Sequence, residues 1–309
     1  MIVTVTPNPS VDRTLRIPPL VRGGLVRAAS VTAEAGGKGV NVARVLALHG
    51  HRAVAVVPLS DASSAGYLSL LGASTPIERV AIRGEVRVNV SLVEADGTVT
   101  KVNEPGPALH PEEVEALLAR AVAVAAESGW VVGSGSLPPG APVDFYPRLT
   151  EALPPGVRTA VDADGAALRA CLGRRMSLVK PNRQELETLV ERPLATLGEV
   201  IAAAQEIVGQ GIEAVLVSLG PDGAVLIDGT GVTHAEARID GVVNTVGAGD
   251  ALLAGFLAAG AGSEGLVTAV AWSIAACRSP GTQMRPVEPA DFAAVVCHNE
   301  PLVERRLAA

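Results

Sequence analysis

The sequence predicts an α/β fold, a mostly parallel sheet with helices on both faces and a smaller β-sheet beside it. Two patterns carry that expectation. Apolar strand-like runs alternate with helix-like stretches along most of the chain, the rhythm of strand-helix-strand units. At 10–35 and 85–104 that rhythm gives way to short alternating segments. A chain of 309 residues has ample surface to bury a real core, and 1–309 reads as one large domain.

In order, strand-like runs fall at 2–6, 54–58, 129–133, 158–162, 176–180 and 213–218, with helix-like stretches at 39–49, 111–127, 164–173 and 196–209. Residues 1–6, MIVTVT, alternate like a strand and lack the basic region of a signal peptide. In the second texture Arg87, Asn89 and Ser91 share one strand face and Val88, Val90 and Leu92 the other. Asp96-Gly97 is a hairpin-turn signal before 98–104. The small sheet thus has an apolar face that needs a partner. The tail half adds a hairpin-like pair at 223–228 and 232–236, Ala-rich helical stretches at 249–261 and 264–277, and a last helix near 289–297.

Composition excludes several classes. A net charge of -7 and seven aromatic residues, three Phe, two Trp and two Tyr, leave neither the basic face nor the stacking platforms of a nucleic-acid binder. The charge-free runs near 62–77 and 128–143 are broken by Gly or Pro and fall short of the roughly 18 apolar residues of a membrane span. Cys171, Cys277 and Cys297 are odd in number and far apart, which disfavours a disulfide framework and suits a reducing cytosol. The chain is expected to be soluble and cytoplasmic. Its five His lack metal spacing and read as surface or core residues. Of 25 basic residues 22 are Arg and three are Lys: Lys38, Lys101 and Lys180. A compact ammonium retained in such a chain suggests sites where a planar fork would not serve.

Five segments and one further lysine offer chemistry. Asn244-Thr-Val-Gly-Ala-Gly-Asp250 runs straight into a helix. Small residues let backbone N–H groups converge, and a helix N-terminus adds partial positive charge, so Gly247, Ala248 and Gly249 suit a developing anion. Asp250 at that mouth is a general base for a hydroxyl or, more plainly, a helix N-cap. Gly36-Gly37-Lys38-Gly39-Val40-Asn41 also opens a helix but fails the Walker spacing, with Thr32 at the first Gly position and Gly39 at the Ser/Thr position. Its glycines permit close approach of a ligand, and Asn41 can offer its amide to sugar hydroxyls. Val179-Lys180-Pro181-Asn182-Arg183-Gln184-Glu185 ends a strand at the carboxyl edge of the sheet, where such sheets bind ligands. Lys180 can meet a nucleotide phosphate and Glu185 can hold hydrated Mg²⁺ through water, while Asn182 and Glu185 also fit a capping box. Near the start, Asn8 and Asp12 follow the first strand, and the Asp12 carboxylate suits a pair of sugar hydroxyls or a solvated turn. Ser218 to Gly223, SLGPDG, reads as a turn with room for a nucleotide. Lys101 shares a strand face with Val99 and Asn103 and points to substrate or to water.

The order of these segments resembles the ribokinase-like (PfkB) carbohydrate kinase family, and within it the 1-phosphofructokinase and tagatose-6-phosphate kinase branch. The resemblance is carried by TVTPNPSVD at 4–12, GGKGVNVAR at 36–44, RVN at 87–89, VNEPGP at 102–107, GSGSLPPG at 133–140, VKPNRQE at 179–185, VSLGPDG at 217–223 and NTVGAGD at 244–250. It implies a three-layer ribokinase-like sandwich whose small sheet is a lid, often paired with the lid of a second subunit, and a kinase dependent on ATP and Mg²⁺. It also implies a place for a monovalent cation such as K⁺ behind the anion hole. Asp250 would be the base and Gly247, Ala248 and Gly249 the anion hole. Asp12, Gly37, Lys38, Asn41, Arg87 and Asn103 would face the sugar phosphate. Lys180, Asn182, Glu185, Ser218, Gly220 and Gly223 would serve nucleotide and metal. VNEPGP favours a hexose phosphate, with fructose 1-phosphate as the leading substrate and tagatose 6-phosphate or another sugar as the alternative. The branch usually carries R-x-N-x-K where this chain has Arg87-Val88-Asn89-Val90-Ser91, so a lysine beside the substrate phosphate is replaced, and Arg27 or Lys101 is left to supply the charge. Pro7 also stands where an aliphatic residue is common. A non-catalytic sugar-phosphate sensor is the reading from another class. A nicotinamide-linked dehydrogenase is disfavoured because Leu252 breaks G-x-G-x-x-G at 247–252.

Overall fold

The computed structural model describes residues 1–279 and 284–308. Strands run β1 Ile2–Val5, β2 Ser10–Ile17, β3 Ser30–Gly36, β4 Ala53–Leu59, β5 Ile77–Ala81, β6 Arg87–Glu94, β7 Val99–Asn103, β8 Trp130–Ser134, β9 Arg158–Asp162, β10 Leu178–Val179, β11 Val215–Ser218, β12 Ala224–Asp228, β13 Gly231–Ala237 and β14 Val295–His298. Helices are α1 Lys38–Leu48, α2 Asp61–Leu71, α3 Pro111–Ala125, α4 Phe145–Ala152, α5 Gly165–Arg169, α6 Arg183–Val190, α7 Leu197–Val208, α8 Ala248–Ala258, α9 Ser263–Cys277 and α10 Pro289–Ala293.

Among the described residues one sheet has the order β14, β13, β12, β11, β10, β9, β8, β1, β4, β5. Pairing is parallel from β11 through to β5 and antiparallel from β11 to β14. Side chains alternate across it, as a pleated strand requires. Val3, Val56, Val131, Val161 and Val215 pack with α3 to α7, whereas Ala55, Val132, Ala160 and Leu216 pack with α1, α2, α8 and α9. Both faces are covered, which is why these strands read as nearly continuous apolar runs. No helix among the described residues is long and apolar enough to cross a membrane.

The small sheet has the order β3, β2, β6, β7. Val11, Leu15, Val31, Val88, Val90, Leu92 and Val102 fall on one face by register, and Asp12, Glu34, Arg87, Asn89, Ser91 and Lys101 on the other. Gly97 N–H donates to Glu94 O at 3.0 Å in the expected hairpin.

Several expectations are corrected. The last helix stops at Ala293, and the β-branched Val295-Val296 enters β14 to pair with β13. The run at 176–180 keeps only Leu178–Val179 as ladder, because Pro181 has no N–H to extend it. The stretch at 164–173 is helical only over Gly165–Arg169. α2 has no clear apolar stripe; Ser60 caps it by accepting from Ser63 N–H at 3.1 Å, and Tyr67 and Leu71 anchor it.

Candidate active site

Parallel strands deliver their carboxyl ends to one edge: Asp162 closes β9, Lys180 follows β10 and Ser218 closes β11. Facing them are the N-termini of α1 and α8. Gly37 caps α1 at φ 126, and a Cβ there would lie 2.8 Å from Thr6 Cγ2, so glycine is what lets the helix begin against the end of β1. Tyr67 Oη donates to Gly36 O at 2.8 Å and holds the turn.

α8 begins at Gly247, φ 81 in the left-handed region. Asp250 is therefore inside the first turn, and its side chain does not serve as the N-cap. Its Oδ2 accepts from Asn41 Nδ2 at 2.8 Å. Arg44 Nη2 donates to Asn41 Oδ1, also at 2.8 Å, which fixes the amide with its NH₂ toward Asp250. The first N–H groups of a helix have no intrahelical acceptor; that of Ala248 makes a long bond of 3.3 Å to Thr245 O. Lys180 Nζ lies 3.6 Å from where a Cβ of Gly249 would stand, so an ammonium sits at the mouth of α8.

Asp162 links two lysines, with Oδ1 at 2.8 Å from Lys38 Nζ and Oδ2 at 3.0 Å from Lys180 Nζ. Burial alone would push its carboxyl up, but Lys180 and Lys38 outweigh that and hold it below the usual carboxylate range. Burial would likewise lower Lys38, yet Asp162 and Glu185 raise it above its ordinary value. Among the described residues no ion pair is made to Asp250. Burial first, and then the negative charge of Asp162, push its carboxyl up to about 6, against the pull of Asn41 and the two lysines. It is ionised at neutral pH and still basic enough to take a proton.

Asn182 and Glu185 form a capping box, each side chain accepting from the other's N–H at 2.8 Å. The capping role leaves Glu185 Oε1 pointing into the cluster, 3.8 Å from Lys38 Nζ. Burial raises Glu185, and Lys38 opposes the rise. Carboxylate oxygens of this kind suit a Mg²⁺ ion that keeps most of its waters.

On the small sheet, Asp12 Oδ1 accepts from Ser10 Oγ at 2.8 Å and from Asn89 Nδ2 at 3.0 Å. Arg87 donates to Asn8 O and Glu104 O, both at 3.1 Å. Asn8, buried after β1, donates to Pro105 O at 3.0 Å and Ser136 Oγ at 3.3 Å, tying the EPGP and GSGS segments together. Asn103 is exposed and sits opposite Asn89. Lys101 is directly opposite Ser91.

A cavity of about 930 Å³ is lined by Asn182, Ser218, Gly220, Gly223, Ala248 and Gly249. Part of the nucleotide side and part of the helix mouth expected from sequence thus share one space, whereas Lys180, Glu185, Gly247 and Asp250 are not among its lining residues. Lys38 is the member placed otherwise: its ammonium joins Asp162 and Glu185, and no hydrogen bond links it to Asp12 or Arg87 among the described residues. Sequence reading missed Asp162 and Arg44. A carboxylate ending a parallel strand was the available signal for the first, and the one-turn spacing from Asn41 for the second. It also missed that His234, Glu236 and His298, on β13 and β14, bring potential ligand atoms within 4.8 Å of one another.

Residues 6–283 match the sequence profile of the pfkB family carbohydrate kinases. The 1-phosphofructokinase of Rhodobacter capsulatus is 37% identical over 296 residues, covering 93% of each chain. The ATP-dependent 6-phosphofructokinase isozyme 2 of Escherichia coli K12 is 36% identical over 293 residues, 92% of this chain and 94% of that one. Phosphofructokinase-2 from Escherichia coli in complex with potassium superposes with a TM-score of 0.86 at 35% identity, covering 94% of this chain and 96% of that one. The fold is ribokinase-like. With that architecture and with motifs spanning most of its length, the chain belongs to the pfkB family of carbohydrate kinases.

Proposed function

We propose that the protein transfers the γ-phosphoryl group of ATP to a hydroxyl of a ketohexose phosphate, converting fructose 1-phosphate to fructose 1,6-bisphosphate. The observation that carries the mechanism is Asp250, buried inside the first turn of α8 and held by Asn41 at 2.8 Å. It takes the proton from the attacking hydroxyl as the new P–O bond forms and the bond between the γ-phosphorus and the bridging oxygen breaks, with ADP as the leaving group. The N–H groups of Gly247, Ala248 and Gly249, with the Lys180 ammonium, stabilise charge on the transferred group. Asn182, Ser218, Gly220 and Gly223 contain the nucleotide in the cavity they line. Glu185 would hold Mg²⁺ through water, and the ion would supply neutralisation of phosphate charge there. A monovalent cation such as K⁺ behind the anion hole is supported by the potassium complex of the Escherichia coli relative.

Asp12, Gly37, Asn41, Arg87 and Asn103 receive the sugar, with Lys38 between sugar and nucleotide sides. Lys101, opposite Ser91 on the polar face that carries Asp12 and Asn89, supplies the charge that a lysine at 91 would bring. The small sheet acts as a lid. Val31 and Val102, 49% and 58% exposed on its apolar face, are covered by the lid of a second copy in a homodimer. The enzyme works in the cytoplasm.

Replacing Asp250 separates catalysis from binding. Asp250→Asn is expected to lower kcat on the order of a thousandfold, with the Kd for ATP nearly unchanged, as for loss of a general base. Steady-state kinetics alongside nucleotide titration checks this. Retention of most of the activity would remove Asp250 from the base role.

A further inference from the structure

One polar network borders the nucleotide cavity and has no place in the chemistry above. The SLGPDG loop turns on two glycines with positive φ, Gly220 at 60 and Gly223 at 84, and is closed by its own backbone, with Leu219 N–H donating to Gly223 O at 2.8 Å and Gly223 N–H to Gly220 O at 3.1 Å; what sets its place against the C-terminal segment is Asp222. Between the two glycines Asp222 is 7% exposed. Its Oδ1 accepts from Arg305 Nη2 at 2.8 Å, its Oδ2 from Ala308 N–H at 2.6 Å, and its backbone carbonyl from His234 Nε2 at 2.8 Å. Segment 303–308 is pinned from its other side by α7 and the residues before it: Gly198 N–H donates to Val303 O at 2.8 Å, Leu197 N–H to Arg305 O at 2.9 Å, and Leu307 N–H to Ala195 O at 3.0 Å. Arg183 Nη1 then donates to Ala308 O at 2.6 Å. Arg183 and Ala308 both line the cavity.

Arg305 also explains the histidine cluster. Its Nη1 is 2.6 Å from Glu236 Oε1, the same oxygen that faces His298 Nε2 at 3.3 Å. The guanidinium bridges Glu236 and Asp222 and brings there the positive charge a metal ion would bring.

We propose that Arg305 is a positioning residue for the nucleotide: through Asp222 it locks segment 303–308 against the Gly220–Gly223 loop and so builds one wall of the ATP cleft. Without it, Asp222 keeps a mostly buried carboxylate with one amide donor, a state that costs free energy unless the loop moves. Returning that carboxylate to water requires the loop and segment 303–308 to part. The wall shifts, and ATP binding weakens while the sugar side and Asp250 are untouched. The inference rests on the cavity being the nucleotide site.

The test measures KM for ATP and for the sugar substrate, with kcat, in Arg305→Ala, Arg305→Lys, Arg192→Ala and Ser218→Tyr. Arg192 forms an exposed pair with Glu206 away from the cavity lining and controls for generic loss of a surface ion pair; Ser218→Tyr fills the cavity. Arg305→Ala should raise KM for ATP about tenfold, with kcat at saturating ATP and the sugar KM within about twofold of the parent. Arg305→Lys should recover part of the loss, and Arg192→Ala should change nothing. If Ser218→Tyr raises the ATP KM but Arg305→Ala does not, or if Arg305→Ala moves kcat and both KM values together, Arg305 is structural only and this inference fails. An ATP KM unchanged in Ser218→Tyr would overturn the nucleotide-site reading and this inference with it.

Discussion

At neutral pH the fold keeps Asp250 ionised against its preference. Its carboxyl sits at about 6 rather than near 3.8, so the protonated form is the one folding favours. The associated stability is fully present below the unfolded value and lost as pH rises through about 6. A carboxyl raised in this way costs stability at neutral pH, which fits the proposed base role. The catalytic consequence has the opposite direction, because a base must be ionised to act. The kcat/KM for the sugar substrate should climb with pH through an inflection near 6 and level off toward neutrality, as a pH–rate profile of the free enzyme would report. A flat profile between about pH 5 and 8 would place the proton elsewhere. Lys38 does not cloud this window, since Asp162 and Glu185 keep it charged well above it. The sequence made Asp250 legible as a residue at a helix mouth but could not separate base from cap. The N-cap role is removed by Gly247 being the cap, with Asn41 reaching across from α1 to Asp250, and the base role stands as the proposal.

The two faces of the small sheet divide its work. Period-two alternation in 87–92 already separated them, because a pleat sends neighbours to opposite sides. What the alternation could not give was the partner strand, since register depends on pairing between distant segments. Register puts Lys101 opposite Ser91, where side chains stand about 5 Å apart at Cβ. Lys101→Ala should accordingly raise KM for the sugar phosphate about tenfold with little effect on kcat or on KM for ATP; unchanged sugar kinetics would exclude it from the phosphate site. On the opposite face, an aspartate at Val102 or Val31 would place a charge in the proposed dimer contact, so Val102→Asp and Val31→Asp should sediment as monomers where the parent sediments as a dimer. A parent that is already monomeric, or variants that remain dimeric, would remove the lid pairing. Among the elements that escaped sequence reading, β5 and α4 are short, at five and eight residues. α2 carries Ser and Gly where a stripe would be, and β14 is four residues long at the sheet edge.

For the whole molecule, the sheet order was legible only as a rhythm of strands and helices. That rhythm sufficed to place the motifs, because parallel strands with covered faces must send their carboxyl ends to a common edge. It could not show that Asp162, Lys38, Lys180 and Glu185 form one charged cluster, since they come from three separate parts of the chain. Nor could it reveal that Asn8 fastens the segments at 105 and 136 to the end of β1. The proposed phosphoryl transfer draws together the cavity, Asp250 and the polar face of the small sheet, and it turns on the identity of the acceptor. A coupled assay of ADP release over a panel of fructose 1-phosphate, fructose 6-phosphate, tagatose 6-phosphate, free hexoses and nucleosides tests it most directly. The account predicts the highest kcat/KM for fructose 1-phosphate; turnover confined to unphosphorylated sugars or nucleosides, or binding of sugar phosphate with no ATP turnover, would contradict it.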